Sequence, residues 1–249
     1  MTAPAFDVAI LGLGVVTSRH LTREAEAVLR RCSKVFTLDN GFGARRTVEE
    51  LGPEVVDLNA LYAEGQERRR SYQRMAAAVV AAASSEPPVA FATYGHPKIF
   101  CFPSTLIQRA APLLGLRLMV LPGVSALDTL LIDVDYDFGT GGLQMYDASD
   151  ALLRRRTLQP DVPCILWQAT WVAEPRFRSD RPTADDLRAL ETYLLGFYPA
   201  DHQLLSVFSA PHPALQSIVE RHPIGDLAES LAHGATSGTL FIPPVPRPT

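Results

Sequence analysis

Short runs of consecutive apolar residues alternate with longer stretches of helical period through the first half of the chain. Phe6 to Leu13, interrupted only by Asp7, ends in Gly12-Leu13-Gly14 and predicts a buried first strand feeding a turn. Thr22 precedes Ala25, Val28 and Leu29 on one helical face, so a capped helix is expected to run to about Cys32. Val35–Leu38 predicts a second strand, broken by Gly41 and Gly43; Thr47–Leu51 predicts a short helix and Val55–Leu58 a third strand. The polar stretch Ala60–Arg70, with Gly65 inside it, is expected to be a loop. Alanine-rich Tyr72–Ala83 then predicts a helix, and Val89–Thr93 a fourth strand running into Tyr94-Gly95-His96-Pro97. Ser104–Leu114 reads as a helix and Leu118–Leu121 as a fifth strand closed by Pro122-Gly123. Strands and helices alternating at this spacing predict parallel βαβ units, with a sheet covered on both faces.

Beyond Pro122 the texture changes. Ser125–Ile132 is helical in pattern, whereas Asp133–Gly142 is acidic, glycine-rich and irregular. Cys164–Gln168 and Leu204–Phe208 are strand-like, with a helix predicted from Thr183 to Leu195 between them. Thr239–Ile242 is a last strand, after which Pro243, Pro244, Pro246 and Pro248 stop further regular structure. The pattern predicts two α/β lobes meeting near Pro122-Gly123, an N-terminal lobe of residues 1–122 and a C-terminal lobe of residues 123–249.

Composition fits this organisation. The 249 residues are 47% apolar, enough for one large domain or two compact lobes, and 20% charged. A net charge of −4 gives no general reason to expect nucleic acid or a membrane as partner. Cys32, Cys101 and Cys164 are widely spaced with no Cys-x-x-Cys pair, which argues for reduced thiols and against disulfides or a zinc site. Met1–Phe6 lacks the pattern of a signal peptide, and apolar runs such as Met75–Ala83 are too short to span a bilayer. The expectation is a soluble cytoplasmic protein.

Several motifs carry candidate chemistry. Gly12-Leu13-Gly14 after a strand suggests a nucleotide site, but Thr17 stands where the dinucleotide fingerprint has its third glycine, and Asp39 is the only acidic candidate on a second strand. A tight turn is the competing reading. Pro122-Gly123-Val124-Ser125-Ala126-Leu127 resembles a nucleophile elbow except that Leu127 occupies the position of the required second glycine, which argues against a serine hydrolase. The alternative is a turn in which Ser125 faces a ligand or caps the next helix. His96, His202, His212, His222 and His233 show no metal-binding spacing. His96 lies in a Gly-His-Pro turn at the carboxyl end of a strand, where open α/β sheets bind ligands.

The segment Tyr62-Ala63-Glu64-Gly65-Gln66-Glu67-Arg68-Arg69-Arg70-Ser71-Tyr72 surrounds three guanidiniums with two phenols. One reading is a solvated charged face. The other is a working group in which Arg⁺ lowers the pKa of a neighbouring phenol and stabilises developing negative charge. Arg154-Arg155-Arg156 has no such neighbours and reads as surface.

In order and spacing these segments resemble the tetrapyrrole-methylase fold, a class of S-adenosylmethionine enzymes. Gly12-Leu13-Gly14, the strand ending before Pro97, Pro122-Gly123-Val124-Ser125-Ala126 and Gly238-Thr239 occur in the family's order. Where corrin and sirohaem methylases have Gly-Asp-Pro, this chain has Tyr94-Gly95-His96-Pro97-Lys98-Ile99-Phe100, similar to the borosin peptide backbone N-methyltransferases. Tyr146-Asp147-Ala148-Ser149-Asp150, Leu166-Trp167-Gln168, Phe241-Ile242-Pro243-Pro244 and Tyr62-x-x-Gly65-x-x-Arg68-x-x-x-Tyr72 point the same way. The resemblance covers about Val8 to Pro244. Lys98 in place of the family's usual glycine, and Leu127-Asp128 in place of a common acidic pair, are departures.

The resemblance implies an α/β, two-lobed tetrapyrrole-methylase-like fold with a cofactor cleft between the lobes. It implies S-adenosylmethionine as cofactor, S-adenosylhomocysteine as product and no metal. It places catalysis at Tyr62, Arg68, Tyr72 and Tyr94, with Tyr72 as proton acceptor or relay, Arg68 as charge stabiliser, and Tyr62 and Tyr94 as positioning groups. Cofactor contacts carried over are Gly12, Tyr94, His96, Ile99, Ser125, Ala126, Gln168, Ala210 and Thr239. Fungal borosins carry a long carboxyl-terminal extension containing their own substrate. This sequence stops five residues past Pro244 and so resembles the split type, for which the substrate is a separate precursor peptide in ribosomal natural-product biosynthesis. A homodimer, or a heterotetramer with two substrate proteins, is what the family implies. A small-molecule methylase and a non-catalytic cofactor-binding module are the rival readings.

Overall fold

In the computed structural model, residues 5–39, 41–139, 141–234 and 238–246 are described. Met1–Pro4 and Pro248, which figure in the reading of the two termini, lie outside them. The elements are β1 (Val8–Gly12), α1 (Thr17–His20), α2 (Arg23–Leu29), β2 (Lys34–Leu38), α3 (Ala44–Glu49), β3 (Glu54–Asp57), α4 (Arg68–Ser85), β4 (Val89–Thr93), α5 (Phe102–Leu113), β5 (Leu118–Leu121) and α6 (Ala126–Asp133). They continue with β6 (Gln144–Asp147), α7 (Ala148–Leu153), β7 (Cys164–Trp167), α8 (Ala184–Leu195), β8 (Gln203–Phe208), β9 (Ile218–Pro223), α9 (Leu227–His233) and β10 (Thr239–Ile242).

The chain divides into two compact units. One runs to Thr129 and includes Pro175–Phe177 and Ala210–Leu215; the other holds Leu130–Glu174, Arg178–Ser209 and the chain from Gln216 on.

The first unit is built on a parallel sheet of order β3-β2-β4-β1-β5. Alternate residues of β1 enter opposite cores, as the two-residue side-chain period requires. Val8 and Ile10 pack with Met75, Val79 and Ile107 of α4 and α5, whereas Ala9 and Leu11 pack with Ala25, Val28 and Leu29 of α2. Burial on both faces explains the unbroken apolar runs of these strands. The connections leaving β1 and β4 therefore run over opposite faces. That makes their shared carboxyl end a topological switch point, where open sheets of this kind hold ligands.

In the second unit the order is β6-β7-β10-β8-β9; only β6 and β7 pair in parallel, and the remaining pairs are antiparallel. Its core gathers Cys164, Leu166, Leu204, Leu240 and Ile242 from the strands under Leu187, Leu190, Leu194, Leu227 and Leu231 of α8 and α9. A reciprocal capping box between Thr183 and Asp186 starts α8. Asp147 begins α7 by accepting the Asp150 N–H at 3.0 Å, which gives the Tyr146–Asp150 motif a structural duty. Arg154, Arg155 and Arg156 are exposed, and Arg154 and Arg156 pair with Asp150.

Residues 62–67 form the expected loop, but the elements on either side reach into the ends of the stretch 60–70. Leu58–Leu61 is a 3₁₀ turn, and α4 begins at Arg68, before the predicted start at Tyr72. Arginine is a good helix former, and the Arg68 N–H, an orphan of the first turn, donates to the Pro175 carbonyl at 3.0 Å. Among the described residues no helix is long and apolar enough to cross a membrane.

Candidate active site

At the carboxyl ends of β1, β4 and β5, three backbones meet without intervening side chains. A Cβ on Gly12 would lie 2.4 Å from the Gly95 oxygen and 2.8 Å from the Gly123 Cα, so only glycine fits. Gly14 and Gly95 exchange N–H···O bonds of 3.2 and 2.9 Å, Leu13 donates to Thr93 at 2.8 Å, and Gly95 sits at φ +64°. Gly12-Leu13-Gly14 is thus a close-approach turn, and α1, four residues long, follows it where a dinucleotide loop opens into a full helix. Asp39 is occupied locally, accepting the Gly41 N–H at 2.8 Å. The Gly95 Cα faces open space, where an added Cβ would meet nothing within 4 Å.

Around this junction stand Tyr94, half exposed at 51%, His96, Ile99, Ser125 and Ala126. His96 Nδ1 accepts the Lys98 N–H at 3.1 Å, so that ring nitrogen is engaged by the turn's own backbone. The Lys98 ammonium is held by the Gln108 side-chain oxygen. Ser125 is buried, and both its N–H and its hydroxyl donate to Asp128 Oδ2, at 2.6 and 2.8 Å. The Asp128 N–H returns to Ser125 Oγ at 3.3 Å, so Ser125 starts α6 in a reciprocal cap with Asp128. Ala210 also belongs to the first unit; Gln168 and Thr239 belong to the second, at the end of β7 and the start of β10. Gln168 takes a left-handed φ of +58°, and Thr170 in the turn after it keeps a buried hydroxyl without a hydrogen-bond partner.

Tyr62, Arg68, Tyr72 and Tyr94 form one electrostatic group in the first unit. The Tyr62 and Tyr72 rings meet edge-on, with centroids 6.1 Å apart at 82°. Burial, followed by the charge and hydrogen bonding of Tyr72, pushes the Tyr62 phenol well above its ordinary range, and the lowering influence of Arg68 does not offset this. Arg68 therefore does not bring the Tyr62 phenol below its ordinary range. Tyr94 is half exposed as a residue, and desolvation, with Cys101 and Tyr72 nearby, moves its phenol upward. Arg69 and Arg70 are exposed, with Arg70 4.0 Å from Glu67, so the arginine triplet splits into one inward group and two solvated ones.

Sequence patterns did not reveal two members of this cluster. Phe177 stacks on Tyr62 at 4.8 Å and 18°, and Phe102 lies 6.1 Å from Tyr72 at 60°. Phe177 follows no periodic run; the signal that finds it is three-dimensional.

The histidines outside the Gly-His-Pro turn have local duties. His20 Nδ1 accepts the Val16 N–H at 3.1 Å, His202 Nε2 lies 2.9 Å from the Pro243 oxygen, and His222 Nε2 lies 3.0 Å from Ser206 Oγ. Among the described residues no group of three His, Cys, Asp or Glu side chains is arranged to hold a metal ion.

The family model for tetrapyrrole (corrin/porphyrin) methylases matches residues 7–144. A methyltransferase/ribosomally synthesized type I borosin cyclic peptide precursor of Coprinopsis marcescibilis is 28% identical over 244 residues, covering 96% of this chain and 62% of its own. The methyltransferase/ribosomally synthesized omphalotin A precursor of Omphalotus olearius is 27% identical over 245 residues, covering 98% and 59%. The chain thus spans about three fifths of the length of these curated relatives. Among solved structures, the uroporphyrin-III-C-methyltransferase of Thermus thermophilus is 18% identical with a TM-score of 0.64, over 96% of this chain and 92% of that one. That likeness shows the fold.

Proposed function

This chain belongs to the tetrapyrrole (corrin/porphyrin) methylase family, and from that premise we propose that it is an S-adenosylmethionine-dependent methyltransferase acting on backbone amide nitrogens of a separate precursor peptide. The observation that carries the peptide reading is the Tyr62–Arg68–Tyr72–Tyr94 group beside the switch point. The printed names of the borosin relatives support it.

The residues fit the cofactor. Gly12, Gly95 and Gly123 bring backbone to the strand ends, and open space lies beside the Gly95 Cα. Gly12, Tyr94, His96, Ile99, Ser125, Ala126 and Ala210 would hold it in the first unit, and Gln168 and Thr239 keep their assignment from the family resemblance. When bound, S-adenosylmethionine supplies an electrophilic methyl group.

The chain's own side chains must make a poor nucleophile reactive. An amide nitrogen shares its lone pair with the carbonyl, so attack requires loss of the N–H proton and stabilisation of negative charge on oxygen. Arg68 supplies the permanent positive charge. Tyr62 and Tyr94, held protonated, donate hydrogen bonds and orient the amide. Tyr72 accepts or relays the proton, with its ring fixed between Tyr62 and Phe102.

Co-expression with small proteins encoded beside this one, followed by intact mass measurement, tests the proposal. The partner is expected to gain mass in steps of one methylene, and the Arg68→Ala enzyme to leave it unmodified. Methylation of a tetrapyrrole instead, or tight S-adenosylhomocysteine binding with no methylated product from any partner, would replace the proposal with one of the two rival readings.

A further inference from the structure

The loop that carries the catalytic candidates is braced by a segment more than a hundred residues further along the chain. Ser71, buried at the start of α4, donates to the Leu61 carbonyl at 2.9 Å and closes the loop from inside. From outside, Pro175–Phe177 lies antiparallel to residues 65–68. The Gly65 N–H donates to the Phe177 carbonyl at 2.9 Å, the Phe177 N–H to the Gln66 carbonyl at 2.8 Å, and the Arg68 N–H to the Pro175 carbonyl at 3.0 Å. Glu67 and Arg176 pair as a bridge between the last two. This is a short ladder, and it fixes where both Gly65 and Arg68 sit.

The ladder also aims one side chain. Phe177, half-buried, lies nearly parallel to the Tyr62 ring at 4.8 Å. Tyr62 also meets Tyr72 edge-on, so its ring makes one stacked and one edge contact. Stacked aromatic pairs contribute beyond their buried area and resist rotation of either ring. Immediately past the segment, Arg178 reaches Asp180 at 2.8 Å, Asp186 at 3.7 Å and Glu174 at 3.9 Å, which fixes the residue after Phe177.

We infer that Phe177 is a positioning residue for methyl transfer: by stacking on Tyr62 it holds the phenol where Tyr62, Tyr72 and Arg68 act together on the substrate amide. The inference rests on the methyltransferase reading for its kinetic consequence, but not for its structural one. Phe177 itself touches no reacting atom; it acts through Tyr62.

The test uses the full chain labelled with [¹³C]tyrosine and saturated with S-adenosylhomocysteine, the Tyr62 ring signal being assigned by its loss in Tyr62→Phe. Phe177→Leu keeps apolar bulk and removes the stack. The Tyr62 and Tyr72 signals are expected to move and those of Tyr193 and Tyr198 to stay. With a partner protein methylated in the co-expression experiment, Phe177→Leu is expected to lower kcat about 10- to 100-fold while KM for S-adenosylmethionine holds within about twofold. Phe177→Trp should recover most of kcat. Thermal melting confirms that each variant is folded, and Phe177→Met replaces Phe177→Leu should the latter not fold. Wild-type kcat in Phe177→Leu, equal impairment in Phe177→Trp, or unmoved Tyr62 and Tyr72 signals would overturn the inference. A wild-type protein that methylates no partner would sink the functional reading instead, and the tyrosine signals alone would then decide the role of Phe177.

Discussion

Arg68 and Tyr62 have opposite parts in the charge balance of the cluster. Arg68 brings a positive charge that lowers the Tyr62 phenol, and burial raises it by more. Removing the charge should therefore cost far more than removing the hydroxyl. Arg68→Ala is expected to lower the rate of methyl transfer about 10²–10³-fold, as loss of one aimed charge stabiliser does. Single-turnover mass measurement with saturating cofactor checks this, and a loss confined to KM would show that Arg68 only binds. The three thiols differ just as sharply. Burial pushes Cys32 and Cys164 up to about 12, whereas Cys101, at the foot of Tyr94, is part-exposed and hydrogen-bonded to Thr93 and Ser104. A thiol reagent at neutral pH is thus expected to modify Cys101 first in the native protein, as peptide mapping would show. The phenol–guanidinium spacing was legible in the sequence because it lies within one continuous segment. Phe177 was not, because its pairing with Tyr62 depends on a ladder across more than a hundred residues.

At the scale of elements, the junction of β1, β4 and β5 is the least tolerant feature. Gly12→Ala places a methyl group against backbone atoms of Gly95 and Gly123, which cannot rotate away as a flexible side chain would. The expected cost is about 1–3 kcal/mol of stability together with lost S-adenosylhomocysteine binding, read by denaturant unfolding and calorimetry. Wild-type values for both would show that the junction relaxes. Asp7, just before β1, takes the Arg117 backbone N–H at 2.7 Å and its guanidinium at 2.6 Å just before β5. Its folded pKa lies below the ordinary 3.8, chiefly through the Arg117 side-chain hydrogen bond. The stability this pair adds is present above that value and is lost as pH falls through the depressed folded one. Asp7→Asn should accordingly flatten the acid limb of stability against pH and leave the shape of the neutral region unchanged; an unaltered acid limb would exclude the linkage. β1 and β4 of the first unit were readable because burial on both faces makes them continuous apolar runs. In the second unit, β6 (Gln-Met-Tyr-Asp) and β9 (Ile-Val-Glu-Arg-His-Pro) are polar sheet-edge strands, and α7 and α9 are only 6 and 7 residues long. Neither strand has an apolar run, and neither helix completes enough turns for its period to stand out.

On the scale of the whole molecule, the fold is that of the tetrapyrrole methylases, while the segment from Tyr62 to Tyr72 holds the phenol–guanidinium group on which the peptide proposal rests. A fold of this kind supports methyl transfer to many acceptors, so the acceptor has to be argued from the site. A neutral donor phenol, a second phenol and a guanidinium suit an acceptor that must lose a proton and carry charge on oxygen. The measurement that tests this most directly is fragmentation mass spectrometry of a partner protein co-expressed with the wild-type chain. Added methyl groups are expected on backbone amide nitrogens, located by fragment ions on either side of each modified residue and absent with Arg68→Ala. Methyl groups found only on side chains, or on a tetrapyrrole with every backbone amide unmodified, would contradict it.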